Sequence, residues 1–212
     1  MKCYIAPPPM TEEEQANVEK KAIKTNNSYL GFADHLLCVS LRNNAGFGYK
    51  RFHKYNEESL ELGRYYVDKY SMDDEAPEEY AVSSYYALVI QLRNYGWEPE
   101  DNLWKDSIFD TFKPYKNTKS IRDKHKDRVK YAKGISFYVR EMLCMAALWM
   151  RQELGWAEVR LNRVLRPVVE EYLAAMRDFL QCSAAGDKSK DQRIRKALKD
   201  FNDMKIFKEE YR

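Results

Sequence analysis

One local pattern recurs three times along the chain and constrains the fold more than any other feature. Each copy is an apolar run, followed by an apolar residue and Arg, and it closes with Gly and an aromatic residue. Gly commonly ends a helix, because it adopts the left-handed conformation without a steric penalty. The pattern therefore predicts three corners between helices, at Gly46-Phe47, Gly96-Trp97 and Gly155-Trp156.

The composition favours helices over many short strands. Among 212 residues there are only 8 Gly and 7 Pro, which leaves little loop material. Apolar residues recur at spacings of three and four, as on one face of a helix. We therefore predict an all-α, irregular multi-helix bundle built from three helical hairpins with Gly-aromatic corners. The alternative is a plain bundle whose short loops happen to use Gly; unequal spacing of the copies argues against a regular solenoid.

The predicted division of the chain depends on one polar stretch. Pro114 interrupts the helical pattern, so residues 113–118 are the best candidate linker. This gives an N-terminal helical half (1–112, two hairpins) and a C-terminal half (113–212, a long hairpin and a terminal helix). One compact domain is the alternative.

The predicted helix boundaries follow from residues that break or cap helices. Residues 11–24 are expected to form a first helix, which breaks at Asn26-Asn27-Ser28. A second break is expected at 183–186, before a last helix over 187–211. The pattern up to Gly155 predicts one long helix or two that meet at Gly134. In the last helix, the residues expected to point inward are Ile194, Leu198 and Phe201.

The net charge of +3 conceals a strong segregation of charge. Residues 57–79 hold nine acidic and two basic residues, whereas residues 113–133 hold nine basic residues and two Asp. A positive stripe on a helix attracts phosphate backbones or an acidic protein surface. A solvated helix face is the plain alternative, and the acidic block could pair with the stripe or mimic a phosphate backbone. The candidate binding residues are Lys119, Arg122, Lys126, Arg128 and Lys130.

The first corner supplies three further candidates, Tyr49, Lys50 and Arg51. Its Gly-Phe-Gly run lacks the spacing of a phosphate-binding loop, and Phe47 is expected to be a wedge between helices. The segment from Leu36 to Tyr55 resembles a helix-Gly-Phe-Gly-x-x-Arg-helix pattern of small uncharacterised helical proteins from phages and mobile elements. The resemblance implies an origin among accessory proteins that regulate genes or blunt host defences by binding.

Residues that perform chemistry do not form a pattern in this sequence. Cys3, Cys38, Cys144 and Cys182 lie far apart, and the three His residues lack ligand spacing. No apolar run is long enough for a membrane span. We therefore expect no enzyme activity, no cofactor, no metal and no membrane association, and we expect a cytoplasmic protein with reduced thiols.

The function expected from the sequence is non-catalytic binding. The segregated charge and the 16 Tyr residues favour docking on a host protein or ribonucleoprotein, which the chain would inhibit or modulate in an anti-defence role. The alternative is a DNA- or RNA-binding regulator that uses the basic helix 113–133. A third reading is a homo-oligomer held by the opposite charge blocks.

Overall fold

The computed structural model describes residues 12–70, 81–104, 119–181 and 183–204, without the side chains of 12–28, 67, 81–83 and 119–125. These residues form six α-helices and one short π-helix and contain no strand. The prediction of an all-α multi-helix bundle is therefore confirmed. The helices are α1 (Glu12–Ala45), α2 (Tyr49–Tyr70), α3 (Ala81–Asn94), the π-helix (Glu100–Trp104), α4 (Lys119–Leu154), α5 (Glu158–Leu180) and α6 (Ala184–Asp203).

Two long helices are continuous at positions where the sequence predicted or allowed a break. α1 runs through Asn26-Asn27-Ser28, so the predicted break there is wrong. Asn and Ser in a helix interior cost only about 0.5–0.7 kcal/mol each, which packing elsewhere along a helix of 34 residues readily offsets. α4 is likewise a single helix through Gly134.

The last helix begins earlier than its sequence suggested. Ser183 is the N-cap of α6 and accepts a hydrogen bond from the Gly186 amide at 3.0 Å. Of the predicted break over 183–186, only Ser183 is therefore outside the helix, because residues 184–186 form its first turn. Ile194 and Phe201 pack against the core, but Leu198 is 43% exposed, and its predicted inward position is wrong. Ala197 is the buried residue on that side. The predicted linker at 113–118 and the region after 204 lie outside the described residues.

The two halves of the chain repeat one packing pattern. α1 packs on α5 and α6 of the other half, and α4 packs on α2 and α3 in the same way. α2 packs on α3, and α5 packs on α6 in the equivalent way. The two first helices of the halves, α1 and α4, also contact each other. A single cluster of buried side chains contains residues of all six α-helices. The boundary near residue 113 stays a prediction, since helices from both sides of it share this core.

All three predicted corners are present and use Gly as the sequence predicts. The φ angles of Gly46, Gly96 and Gly155 are 67°, 75° and 61°, in the left-handed region that favours Gly. α4 and α5, which meet at the third corner, also pack on each other. α2 instead packs on α3 and α4, so the first corner turns the chain towards the other half. The number of hairpins stays a prediction.

Candidate functional site

The first and third corners are built by the same interactions. The amide of Phe47 donates to the carbonyl of Leu41 at 3.2 Å, and the amide of Trp156 donates to the carbonyl of Met150 at 3.2 Å. In each corner, the Arg of the repeated pattern closes the turn. Arg42 donates to the Phe47 carbonyl at 2.8 Å, and Arg151 donates to the Trp156 carbonyl at 2.6 Å.

The second corner is closed differently. The Gly96 amide donates to the carbonyl of Arg93 at 2.8 Å, and the Trp97 amide donates to that of Leu92 at 3.0 Å, which is the Schellman arrangement. Arg93 pairs with the carboxylate of Glu98 rather than with a backbone carbonyl. The three copies are therefore alike in sequence, but only the first and third are alike in hydrogen bonding.

The two matched corners face each other across the centre of the bundle. The ring of Phe47 lies 6.0 Å from that of Trp156 and 6.3 Å from that of Trp149. Phe47 is 0% exposed, so the expectation that it is a wedge between helices is confirmed, and Trp156 is buried in the same way at 6% exposure. Ser40 donates to the carbonyl of Val164 at 2.6 Å and ties the end of α1 to α5.

The second corner contacts α5 and the third corner. The indole of Trp97 donates to the side chain of Asn162 on α5 at 3.1 Å. Arg151, which closes the third corner, also donates to the carbonyl of Tyr95 and lies over its ring. All three corners therefore form one cluster, and side chains beside them are brought together from distant parts of the sequence.

A cleft of about 320 Å³ opens between the first and third corners. Three of its lining side chains are arginines, and none is a carboxylate. Arg51 lies over the ring of Phe47 at 6.0 Å, and Arg160 lies over that of Trp156 at 5.6 Å. The cleft is lined by Asn44, Ala45, Arg51, Leu154, Trp156, Arg160, Arg163 and Val164.

The three candidates at the first corner have different surroundings. Arg51 lines the cleft, Lys50 is exposed, and Tyr49 is partly buried with its ring against that of His53 at 5.8 Å. Arg160 and Arg163 were not singled out from the sequence. The sequence did contain a sign of Arg160. Arg151 and Arg160 have the same spacing around Gly155 as Arg42 and Arg51 have around Gly46.

The basic candidates lie along the first half of α4. Lys119 and Arg122 are in its first turns, and their side chains are outside the described residues. Lys126, Lys130 and Lys133 are exposed, whereas Ala132 is buried. The arrangement matches the predicted stripe, and its role in binding stays a prediction.

Arg128, a candidate binding residue from the same basic stretch, is used within the fold. It donates to the carboxylate of Asp187 on α6 at 2.9 Å and to the carbonyl of Phe179 on α5 at 2.6 Å. Its guanidinium also lies 4.9 Å from the centre of the Phe179 ring, and Lys190 of α6 lies 5.6 Å from the same ring. Arg128 of α4 and Lys190 of α6 therefore lie against the same ring.

Exposed aromatic side chains continue the basic surface along α4. Tyr138 is 52% exposed and lies eight residues after Lys130, which is about 80° further round the exposed side of α4. Its neighbour Phe137 contacts Tyr85 of α3, with ring centroids 5.5 Å apart. Tyr85 is in turn flanked by Tyr86, which is 55% exposed. The seam between α3 and α4 therefore has an exposed tyrosine on each helix.

The acidic block is described only as far as residue 70. Its first carboxylates pair nearby: Glu57 contacts His53 at 3.0 Å, and Glu58 accepts from the indole of Trp149 at 2.8 Å. Cys38 and Cys144 are buried free thiols, and burial raises the pKa of each well above its usual range. They are small apolar residues of the core, as expected.

Metal sites and membrane-spanning helices are both absent from the described residues. Among the residues that the structure describes, no three His, Cys, Asp or Glu side chains are placed to hold a metal ion. None of the described helices combines the length and the apolarity that crossing a bilayer requires. His35 stacks on Phe201, with ring centroids 4.6 Å apart, and the side chain of His125 is outside the described residues.

Comparison with known proteins gives no match: no family model, no curated protein and no solved structure is significantly similar to this chain.

Proposed function

We propose that the protein is a non-catalytic binding protein that docks on an acidic surface of a partner protein or ribonucleoprotein. One observation carries the proposal: the exposed side of α4 carries Lys126 and Lys130 and, about two turns further along the helix, Tyr138. Exposed tyrosines are enriched at protein interfaces, where aromatic residues supply much of the binding energy. The lysines beside Tyr138 favour an acidic partner by electrostatic complementarity. The docking surface is defined here as Lys126, Lys130, Lys133 and Tyr138.

The shape of the surface favours an acidic protein over a bare phosphate backbone. Asp127 is exposed beside the stripe, and Arg128 turns inward to Asp187, so the positive charge is sparser than the sequence suggested. A partner that offers separate carboxylates and an apolar patch fits this mixture better than a duplex, which offers closely spaced phosphates. The resemblance of residues 36–55 to phage and mobile-element proteins supports a partner in the host cell, which the protein would inhibit or modulate.

The test is capture of partners from a nuclease-treated lysate of the native host, followed by measurement of binding to the purified partner. Tyr138→Ala removes an aromatic anchor, and Lys130→Glu places a negative charge against an acidic surface. Each is therefore expected to weaken binding about tenfold or more. The matched controls are Arg64→Glu and Tyr65→Ala on α2, because Arg64 is exposed like Lys130 and Tyr65 is 52% exposed like Tyr138. The controls should leave binding within about twofold. Equal binding by all four variants would contradict the proposal.

The second candidate, a DNA- or RNA-binding regulator, is supported by the exposed lysines of α4, Lys126, Lys130 and Lys133. It predicts duplex or single-strand binding that weakens steeply between about 50 and 200 mM salt. In that case Lys130→Glu should weaken binding, whereas Tyr138→Ala should leave duplex binding unchanged. No binding at the lower salt would exclude this candidate.

A further inference from the structure

The two matched corners allow each charged residue on one side to be compared with its counterpart on the other. Lys54 on α2 lies eight residues after Gly46, and Arg163 on α5 lies eight after Gly155. In the same way, Glu153 and Asn44 each lie two residues before their corner Gly. Lys54 and Arg163 are therefore equivalent positions, and so are Glu153 and Asn44.

In the first of these equivalent pairs, the cation after the first corner, Lys54, is neutralised by a carboxylate that precedes the third corner. The ammonium of Lys54 lies 2.9 Å from the carboxylate of Glu153 at the end of α4. On the other side, Arg163 and Asn44 both line the cleft, and the carboxylate is replaced by a neutral amide. The cleft therefore contains the cation of this pair, Arg163, without the carboxylate that neutralises Lys54 at the equivalent position.

The missing carboxylate leaves three guanidinium groups unbalanced. In the described part of the chain, none of Arg51, Arg160 and Arg163 forms an ion pair, although all three line the cleft. Like charges held at the rim of one cleft repel each other, and a bound anion removes that repulsion while gaining charge-assisted hydrogen bonds. The cleft therefore has the electrostatics of an anion site.

The geometry points to a binding site for a phosphate monoester in this cleft, and we propose it as a site separate from the docking surface. One guanidinium fork satisfies a planar carboxylate, whereas a phosphate has three terminal oxygens and can engage several forks at once. The volume of about 320 Å³ lies at the lower end of the range for small-molecule sites. The ligand class is a small phosphorylated molecule whose phosphate contacts Arg51, Arg160 and Arg163.

Calorimetric titration of the whole chain tests the site, with inorganic phosphate, ribose 5-phosphate and adenosine monophosphate as probes and acetate as the carboxylate control. At least one phosphate probe should bind, and acetate should not. A preference for ribose 5-phosphate or the nucleotide over inorganic phosphate would identify the attached group as part of the ligand. Tighter binding of acetate than of every phosphate probe, or no binding of any probe, would overturn the proposal.

Variants at matched positions provide the control. Asn44→Glu supplies the carboxylate that the other side already has, so it should reduce phosphate affinity at least tenfold, and so should Arg163→Ala. Lys54→Ala changes the equivalent position outside the cleft and should leave affinity within twofold. Asn44 and Arg163 are exposed, and circular dichroism would verify that each variant is folded. Asn44→Glu with the affinity of the unmodified protein would overturn the proposal.

A second measurement follows the indole of Trp156, which lines the cleft. Its proton signal should shift on addition of the phosphate probe that binds and stay in place in Asn44→Glu. The same addition should leave partner capture by the docking surface unchanged, since Lys126, Lys130 and Tyr138 do not line the cleft. A shift of equal size in both proteins would place the phosphate elsewhere and contradict the site.

Discussion

At the scale of single residues, the glycine and the arginine of the first and third corners have separate tasks. Gly155 supplies a φ of 61°, and an added Cβ there would meet no other atom within 4 Å. The requirement is therefore conformational and not steric. Arg151 then holds the corner closed by its bond to the Trp156 carbonyl.

We predict that Gly155→Ala destabilises the protein by about 1–2 kcal/mol, because a side chain in the left-handed region is strained. Gly134→Ala is the control, since an added Cβ at Gly134 also meets nothing within 4 Å but the residue is inside α4. It should be neutral or stabilising by up to about 1 kcal/mol. Urea unfolding measures both, and equal effects of the two substitutions would contradict the conformational explanation.

At the scale of elements, α6 is attached to α5 by one polar cluster. The carboxylate of Asp178 accepts from Ser189 at 2.7 Å and from Arg193 at 2.8 Å, and Arg193 also donates to Glu171 at 2.9 Å. Burial alone would raise the pKa of Asp178, but the hydrogen bonds from Ser189 and Arg193 and the positive charge of Arg193 together lower it. The charged form of Asp178 therefore stabilises the folded protein.

The sign of the resulting pH dependence follows from the lowered pKa. The stabilisation is complete above the unfolded pKa of Asp, about 3.9, and is lost as the pH falls through the lower folded pKa. We predict that the free energy of unfolding drops below about pH 4, and that Asp178→Asn makes this drop shallower while lowering stability at neutral pH. Urea titrations at a series of pH values measure both slopes. A slope that Asp178→Asn leaves unchanged would contradict the assignment.

The sequence predicted the elements and their corners well because these depend on local rules. Gly46, Gly96 and Gly155 end helices through their own backbone freedom, which spacing in the sequence reveals. The break predicted at Asn26-Asn27-Ser28 failed because it relied on weak propensities, which the length of α1 overrides.

The candidate sites were less predictable because they depend on contacts between distant residues. Arg128 belongs to the basic stretch by sequence, yet its contact with Asp187 draws it into the fold. Arg163 has no distinctive neighbours in the sequence. Its candidacy as a binding residue follows only from the cleft that it lines together with Asn44. The equal spacing of the arginines around Gly46 and Gly155 was the one readable sign that the first and third corners match.

At the scale of the whole molecule, the first helix of each half packs on the second and third helices of the other half. α1 lies on α5 and α6, and α4 lies on α2 and α3, so neither half buries its helices alone. This exchange brings the two matched corners face to face and creates the cleft between them. It also leaves the start of α4 at the outside, where α6 supports it through Arg128 and Asp187. The cleft therefore depends on the contact between the halves.

The contact between Phe47 and Trp156 tests this arrangement most directly. The two rings lie 6.0 Å apart, although one belongs to the corner of α1 and α2 and the other to the corner of α4 and α5. A nuclear Overhauser experiment on protein with only Phe and Trp protonated should show a cross-peak between them, which disappears in Phe47→Leu. A folded protein in which the Trp156 indole shows no cross-peak to any Phe ring would contradict the packing of the two halves.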